Sequence, residues 1–205
     1  MSSLGVLEQI AAEVAVCTAC QLHKGRKLPV PGEGPADSEL MFIGEGPGFH
    51  ENEQGRPFVG AAGRFLEELL ATIGLTREQV FIGNVIKCRP PGNRDPQLDE
   101  IQECSGFLER QIQAINPKVI ITLGRFSMAR YFPNARISTI HGQAKWVQSR
   151  LIVPMYHPAA ALHQPSLREI VRNDFLQLPQ FIQQVQNQEP VQEEPPSDPQ
   201  QLSMF

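Results

Sequence analysis

The sequence predicts an α/β domain built on a mainly parallel, four-stranded sheet, and three observations lead there. Four short apolar runs, "LMFIG", "VFIGN", "KVIITL" and "RLIVPM", are separated by stretches of helical periodicity, the alternation expected of β-α-β units. The chain has 205 residues, enough for one globular domain with extensions and a real core. Polar and glycine-rich segments follow the strands directly, where open α/β sheets bind their ligands.

Along the chain, Leu4, Leu7, Ile10, Ala11 and Val14 fall near helical spacing and predict a helix over 4–16. A loop rich in Gly and Pro runs from Gln21 to Ser38. "LMFIGEGPG" is a short buried strand breaking into a turn. "GRFLEELLATIGL" is an amphipathic helix with Phe65, Leu66, Leu69, Leu70 and Ile73 inward. "VFIGNVIKC" is the second strand, "RPPGNRDP" a loop, and "LDEIQECSGFLERQIQAI" a long helix. "KVIITLG" is the third strand, "RFSMARYF" a short helix, "RLIVPMYHP" the fourth strand, and 166–186 one last helix. The domain is expected to span 1–186. Residues 187–205 are acidic, proline-rich and expected to stay unfolded. There is no internal repeat.

The net charge of −4 resides in that tail, which holds Glu189, Glu193, Glu194 and Asp198 and no Lys or Arg. Without those four acids the body carries 18 basic and 18 acidic residues. Its cations gather in loops, at Lys24, Arg26 and Lys27 and at Arg89 and Arg94, a pattern that permits phosphate contacts. No apolar run approaches the ~18 residues of a membrane span. The N-terminus lacks the basic start and apolar run of a secretory signal, so a cytosolic protein is expected, with reduced thiols.

Four cysteines are present: Cys17 and Cys20 in "CTAC", Cys88 ending the second strand, and Cys104 in the following helix. In a reducing compartment such a set is read as one tetrathiolate centre rather than two disulfides. Zinc and a [4Fe–4S] cluster both accept four thiolates, and the residues alone leave the choice open. The spacing differs from the bacterial ferredoxin run, which argues against a small electron carrier.

"GEGPGFHENEQGRPFVGAAG", Gly44 to Gly63, is neither a Walker A loop nor a dinucleotide fingerprint, since Phe49 stands where the third glycine belongs. Taken in order with "GNVIKCRPPGNR", "YHPAAAL" and the four cysteines, it resembles the family 4 uracil-DNA glycosylases from about residue 10 to 182. The resemblance implies a three-layer α/β/α fold, a [4Fe–4S] cluster on Cys17, Cys20, Cys88 and Cys104, and excision of uracil from DNA. It implies that Phe58 stacks on uracil, Asn84 hydrogen-bonds its edge, His157 lies against O2, and Glu51 blocks a thymine methyl. Gly44 and Gly46 are expected beside the base.

The roles are physically coherent. A base must leave the stack to be read in a pocket. Asn84 can donate to O4 and accept from N3–H, a pattern that uracil offers and cytosine does not. His157 can stabilise charge on the departing base. The most active superfamily members carry an aspartate at the position of Gly46, leaving Glu45 or backbone-held water to activate the nucleophile. Two further departures are Asn52, where a carboxylate is frequent, and His163, where Arg is frequent. Leu162, Arg94 and Arg168 are expected to contact DNA, with Leu162 a wedge in a loop facing the duplex.

The competing reading is a non-catalytic iron–sulfur DNA-binding module, because related sequences occur as polymerase-associated domains. A redox-sensing regulator is a third class, which nothing in the sequence requires. Finally, Gln201, Leu202, Met204 and Phe205 in "QLSMF" resemble the pentapeptide with which bacterial repair proteins dock on the replication sliding clamp. The acidic stretch before it is a tether. A nucleoid-associated monomer is expected.

Overall fold

The computed structural model describes residues 2–187. The clamp-like peptide Gln201–Phe205 therefore lies outside the described residues. The elements are α1 (Ser3–Val16), β1 (Leu40–Gly44), α2 (Phe49–Gln54), α3 (Ala61–Thr72), β2 (Phe81–Asn84), α4 (Leu98–Ile115), β3 (Val119–Leu123), α5 (Arg125–Ala129), α6 (Ile137–Ile140), β4 (Lys145–Val147), β5 (Arg150–Met155), α7 (Pro158–His163), α8 (Ser166–Leu176) and α9 (Leu178–Gln186). None of the described helices is long and apolar enough to cross a membrane.

The strands pair in the order β2-β1-β3-β5-β4. The first four run parallel and only β4 is antiparallel. Alternating side chains feed two cores, as period-two geometry requires. Phe42, Ile82, Ile121 and Val153 pack with Phe65 and Leu69 of α3 and Phe175 of α8. Met41, Ile43, Phe81 and Ile120 pack with Leu108 and Ile112 of α4. Helices thus cover both faces, the three-layer arrangement. Phe42 and Phe175 stack with centroids 6.0 Å apart, joining β1 to α8. Truncating a core side chain such as Leu69 to Ala removes about 2–5 kcal/mol. Helix α1 lies on α4, tied there by Glu13 and Arg110, whose Nη2 donates to Oε1 at 2.9 Å.

Two expectations need correction. The sheet has five strands, not four: "KWV" forms β4, paired to β5 across the two-residue turn Gln148-Ser149. The strand is three residues long and half exposed, and Gln148 adopts φ 54° without the Asn-Gly or Asp-Gly signature of such turns. The last helix is two helices, breaking at Gln177. Pro179 lacks the N–H to continue α8 and is tolerated only in the first turn of α9.

The strand order reverses around β1, which has β2 on one side and β3 on the other. Such reversals leave a crevice beyond the carboxyl ends of the strands. The segments after β1, β2 and β5 meet there.

Candidate active site

Strand β1 delivers Glu45-Gly46-Pro47-Gly48, β2 ends on Asn84, and β5 is followed by Tyr156 and His157. These ends open into one cleft of about 320 Å³, lined by Glu45, Gly46, Glu51, Phe58, Asn84, Arg94 and His157 together with Pro47, Gly48, Ala62, Ile86, Pro90, Asn93 and Ala159. All but one of the residues expected around the base converge on it. The exception is Gly44, which underlies the cleft. A Cβ there would come within 2.4 Å of Asn84 Oδ1 and 2.7 Å of the Phe58 ring. Glycine at 44 is what lets the amide and the ring sit together.

Asn84 is buried, and its Oδ1 has no hydrogen-bond partner among the described residues. Leaving such an oxygen unpaired costs about 1–3 kcal/mol, an arrangement that makes sense where a ligand brings the donor. Its backbone carbonyl accepts from Lys87 Nζ at 2.9 Å, and Lys87 also donates to Gln111 Oε1 at 2.7 Å. Burial brings the Lys87 ammonium down to about 8. A fully buried side chain thus pins the strand end that carries the amide.

Phe58 has a left-handed backbone, φ 51°, unusual for a bulky residue. Its ring lies 5.5 Å from that of His157, nearly parallel at 23°. Glu51 fixes the neighbouring loops: Oε1 accepts from Val59 N (2.9 Å) and Gly60 N (2.8 Å), and Oε2 from Gly48 N (3.1 Å). The carboxylate is therefore held as a wall of the cleft.

His157 caps α7, its Nδ1 accepting from Ala159 N at 3.1 Å. Burial drives its pKa down to about 4, against the opposing pull of Glu51. The ring is neutral at pH 7 and, with Nδ1 occupied as acceptor, carries its proton on Nε2. Glu45 is affected in the opposite sense. Burial, and then Asp95, raise its pKa, while Arg125 opposes them. A half-buried carboxylate with a raised pKa is a proton acceptor suited to near-neutral chemistry.

The peripheral residues are placed as follows. Arg94 lines the cleft, but its guanidinium grips Glu100 through Nη1 (2.9 Å) and Nη2 (2.6 Å). Arg168 is outside the cleft, donating to Glu68 at 3.0 Å with its guanidinium 4.6 Å from the Phe65 ring. Both cations are engaged within the protein. Leu162 belongs to helix α7, not a loop, and is 40% exposed. Asn52 is buried and structural, its Oδ1 accepting from Lys27 N at 2.9 Å. An aspartate at Gly46 would require the Ile86 side chain to shift, because a Cβ would sit 2.7 Å from it. Ile86 and Asn93 line the cleft without having been singled out. Ile86 looks like strand core, and Asn93 like one more turn residue in "PPGN".

Away from the cleft, Cys17, Cys20, Cys88 and Cys104 line one small apolar pocket beneath α1, all as free thiols. Among the described residues no group of three His, Cys, Asp or Glu is gathered closely enough for a single metal ion. Four thiols around one pocket are the donor set that a tetrathiolate centre would use. Arg26 Nη1 donates to Cys88 Sγ at 3.1 Å and Lys87 N to Cys104 Sγ at 3.3 Å, the outer hydrogen bonds that thiolate ligands receive. Burial pushes the Cys104 thiol up to about 11.

Comparison with known proteins supplies the family. Residues 31–180 match the model of the uracil DNA glycosylase superfamily. A Type-4 uracil-DNA glycosylase of Sulfurisphaera tokodaii is 50% identical over 179 residues, 82% of this chain and 81% of the relative. Type-4 enzymes of Saccharolobus solfataricus (48%, covering 82% of this chain and 83% of the relative) and Archaeoglobus fulgidus (45%, 82% and 89%) are similar over the same extent. The chain belongs to the uracil-DNA glycosylase superfamily and, within it, to the Type-4 uracil-DNA glycosylases.

Proposed function

We propose that this protein is a DNA-repair glycosylase that hydrolyses the N-glycosidic bond of deoxyuridine, releasing uracil and leaving an abasic site. The observation that carries the reading is the buried, unpaired Oδ1 of Asn84 beside the Phe58 ring and the neutral His157. Uracil supplies the missing donor at N3–H, and the Asn84 amide N–H is then free to meet O4. Thymine shares both groups, so its exclusion falls to the wall held by Glu51.

As the N1–C1′ bond breaks, its electron pair goes to the base. The negative charge spreads to O2, where the Nε2–H of neutral His157 donates a hydrogen bond. The sugar acquires oxocarbenium character. Water attacks C1′ and gives a proton to the Glu45 carboxylate, whose raised pKa suits it to the task. Uracil takes up a proton on release, and the sugar keeps the hydroxyl.

A [4Fe–4S] cluster on Cys17, Cys20, Cys88 and Cys104 fits the sulfur-lined pocket and would tie α1 to β2 and α4. When bound it supplies structural cross-linking. The reaction needs no electron from it. The C-terminal peptide from Gln201 to Phe205 is proposed to dock on a sliding clamp, with Leu202, Met204 and Phe205 filling an apolar groove. Truncation after Gln200 should leave excision intact and abolish clamp binding; equal binding by both chains overturns that docking.

A uracil-containing oligonucleotide treated with the protein and then alkali tests the main reading. Breakage at uracil with release of the free base is expected. Intact DNA that is nevertheless bound identifies a binding module instead.

A further inference from the structure

Phe49 is an anomaly at the mouth of the cleft. It opens α2 one residue after Gly48, which lines the cleft, yet is 53% exposed. An isolated exposed phenylalanine is ordinary; this one has been given a partner. The Arg89 guanidinium carbon lies 5.3 Å from the ring centroid. Arg89 Nε donates to Asn93 Oδ1 at 2.7 Å, and Asn93 also lines the cleft. His50 meets the Phe49 ring edge-on at 5.4 Å. The loop after β1 and the loop after β2 therefore close on each other through this pair.

The charge at this place is also unneutralised. Arg94 is paired with Glu100, and Arg125 with Asp95. Among the described residues Arg89 has no carboxylate partner. An aromatic face, held by an unneutralised guanidinium and continuous with the cleft, has the composition of a nucleobase-stacking platform beside a phosphate contact.

We propose that Phe49 and Arg89 form a platform for the nucleotide adjoining the flipped uridine, with that neighbour's base stacked on Phe49 and its phosphate near Arg89. This rests on the uracil-excision reading, since it needs a DNA strand to enter the cleft. The occupant is an unpaired nucleotide, because a ring surface can stack on a base only when that base has left its own stack. The platform is sequence-tolerant, since every base has a flat face.

The test uses the full chain and a short single-stranded oligonucleotide carrying one 2′-fluorinated deoxyuridine, which resists cleavage. In separate versions the 5′ or the 3′ neighbour is replaced by an abasic spacer. Wild-type affinity should fall about tenfold when the stacking neighbour is removed, the scale of one base–aromatic contact. Phe49→Ala should bind the intact oligonucleotide about tenfold more weakly and be indifferent to the spacer, while Phe49→Trp should bind as wild type does. If Phe49→Ala binds the intact strand like wild type, or responds to the spacer as wild type does, the platform is refuted. Release of uracil from a cleavable strand by the wild type is scored separately. Spacer-sensitive binding without release keeps the platform and rejects the glycosylase; release without spacer sensitivity does the reverse.

Discussion

Arg77 holds Phe58 by its backbone. Its Nη2 donates to Pro57 O at 2.8 Å and its Nη1 to Phe58 O at 3.2 Å, while Nη1 also reaches Glu67 Oε1 at 2.7 Å. The guanidinium is mostly buried, at 12% exposure, and Glu33 stands 3.5 Å away. Phe58 sits at φ 51°, a conformation that persists only where the surroundings impose it. The flat face of the cleft is thus held by a cation that does not itself line the cleft.

Replacing Arg77 with Ala should loosen the Phe58 turn and misplace the ring. Small displacements of a positioning group cost up to about a hundredfold in rate. We expect at least a tenfold rise in KM and a matching rise in the inhibition constant of free uracil. Arg77→Lys, which keeps the charge but cannot bridge both carbonyls, should recover only part of the loss. Unchanged inhibition by uracil in Arg77→Ala would show that Phe58 holds its pose without Arg77.

The roles proposed for Asn84 and His157 give a sharper expectation. Asn84→Ala and His157→Ala should each lower single-turnover excision by on the order of a hundredfold, the scale for a lost transition-state donor. Near wild-type rates in Asn84→Ala would remove the amide from the reaction. His157 also leaves a mark on stability. Its pKa is about 4 in the fold against 6.5 for the ordinary group, so between these values the unfolded chain binds a proton that the native chain refuses. Stability therefore falls as pH drops from 6.5 to 4, by at most about 3 kcal/mol from this group. Denaturant titrations of His157→Gln should show a shallower decline over that window.

Glu45 sets a different pH limb. In the proposed role it must be deprotonated, and burial together with Asp95 lifts its pKa above the ordinary carboxylate range, Arg125 opposing. Excision should be full above the raised value and fall as pH drops through it. Glu45→Gln should be slow throughout and lack that limb. A Glu45→Gln profile parallel to wild type would point to water activated by another group.

The placement of this site was legible in the sequence, because its residues follow strand ends, while their expected roles came from the family resemblance. Glu45, Asn84 and His157 each sit where a run of apolar residues stops, which marks the rim of an α/β sheet. Arg77 was not legible. It lies in a short turn before β2, and its partners are the main-chain carbonyls of Pro57 and Phe58, which leave no trace in side-chain patterns. The engagement of Arg94 and Arg168 was equally hidden, since a cation in a sequence carries no sign of its acid partner. Strand β4 escaped because three half-exposed residues bury too little to write a pattern.

The four cysteines predict a visible phenotype. Protein purified without oxygen should be brown and hold about four irons per chain, the stoichiometry of a tetrathiolate cluster. Cys104→Ser, at the buried thiol on α4, should lose colour and thermal stability together. A colourless wild type with one zinc would replace the cluster with a single ion.

Leu162 gives the last expectation. It is one turn beyond His157 on α7, and its neighbour Ala161 is buried while Leu162 stays 40% exposed. The helix is anchored on α3 and α8, so it presents this side chain rigidly. An exposed apolar group on the helix that His157 caps can fill the gap that a flipped nucleotide leaves in a duplex, at the cost of unstacking neighbouring bases. Single-stranded DNA has no such gap to fill. Leu162→Ala should therefore slow excision from paired DNA several-fold more than from single strands, whereas a leucine that served only to pack α7 would slow both alike. Single-turnover rates on the same uracil strand, free and annealed, decide between them.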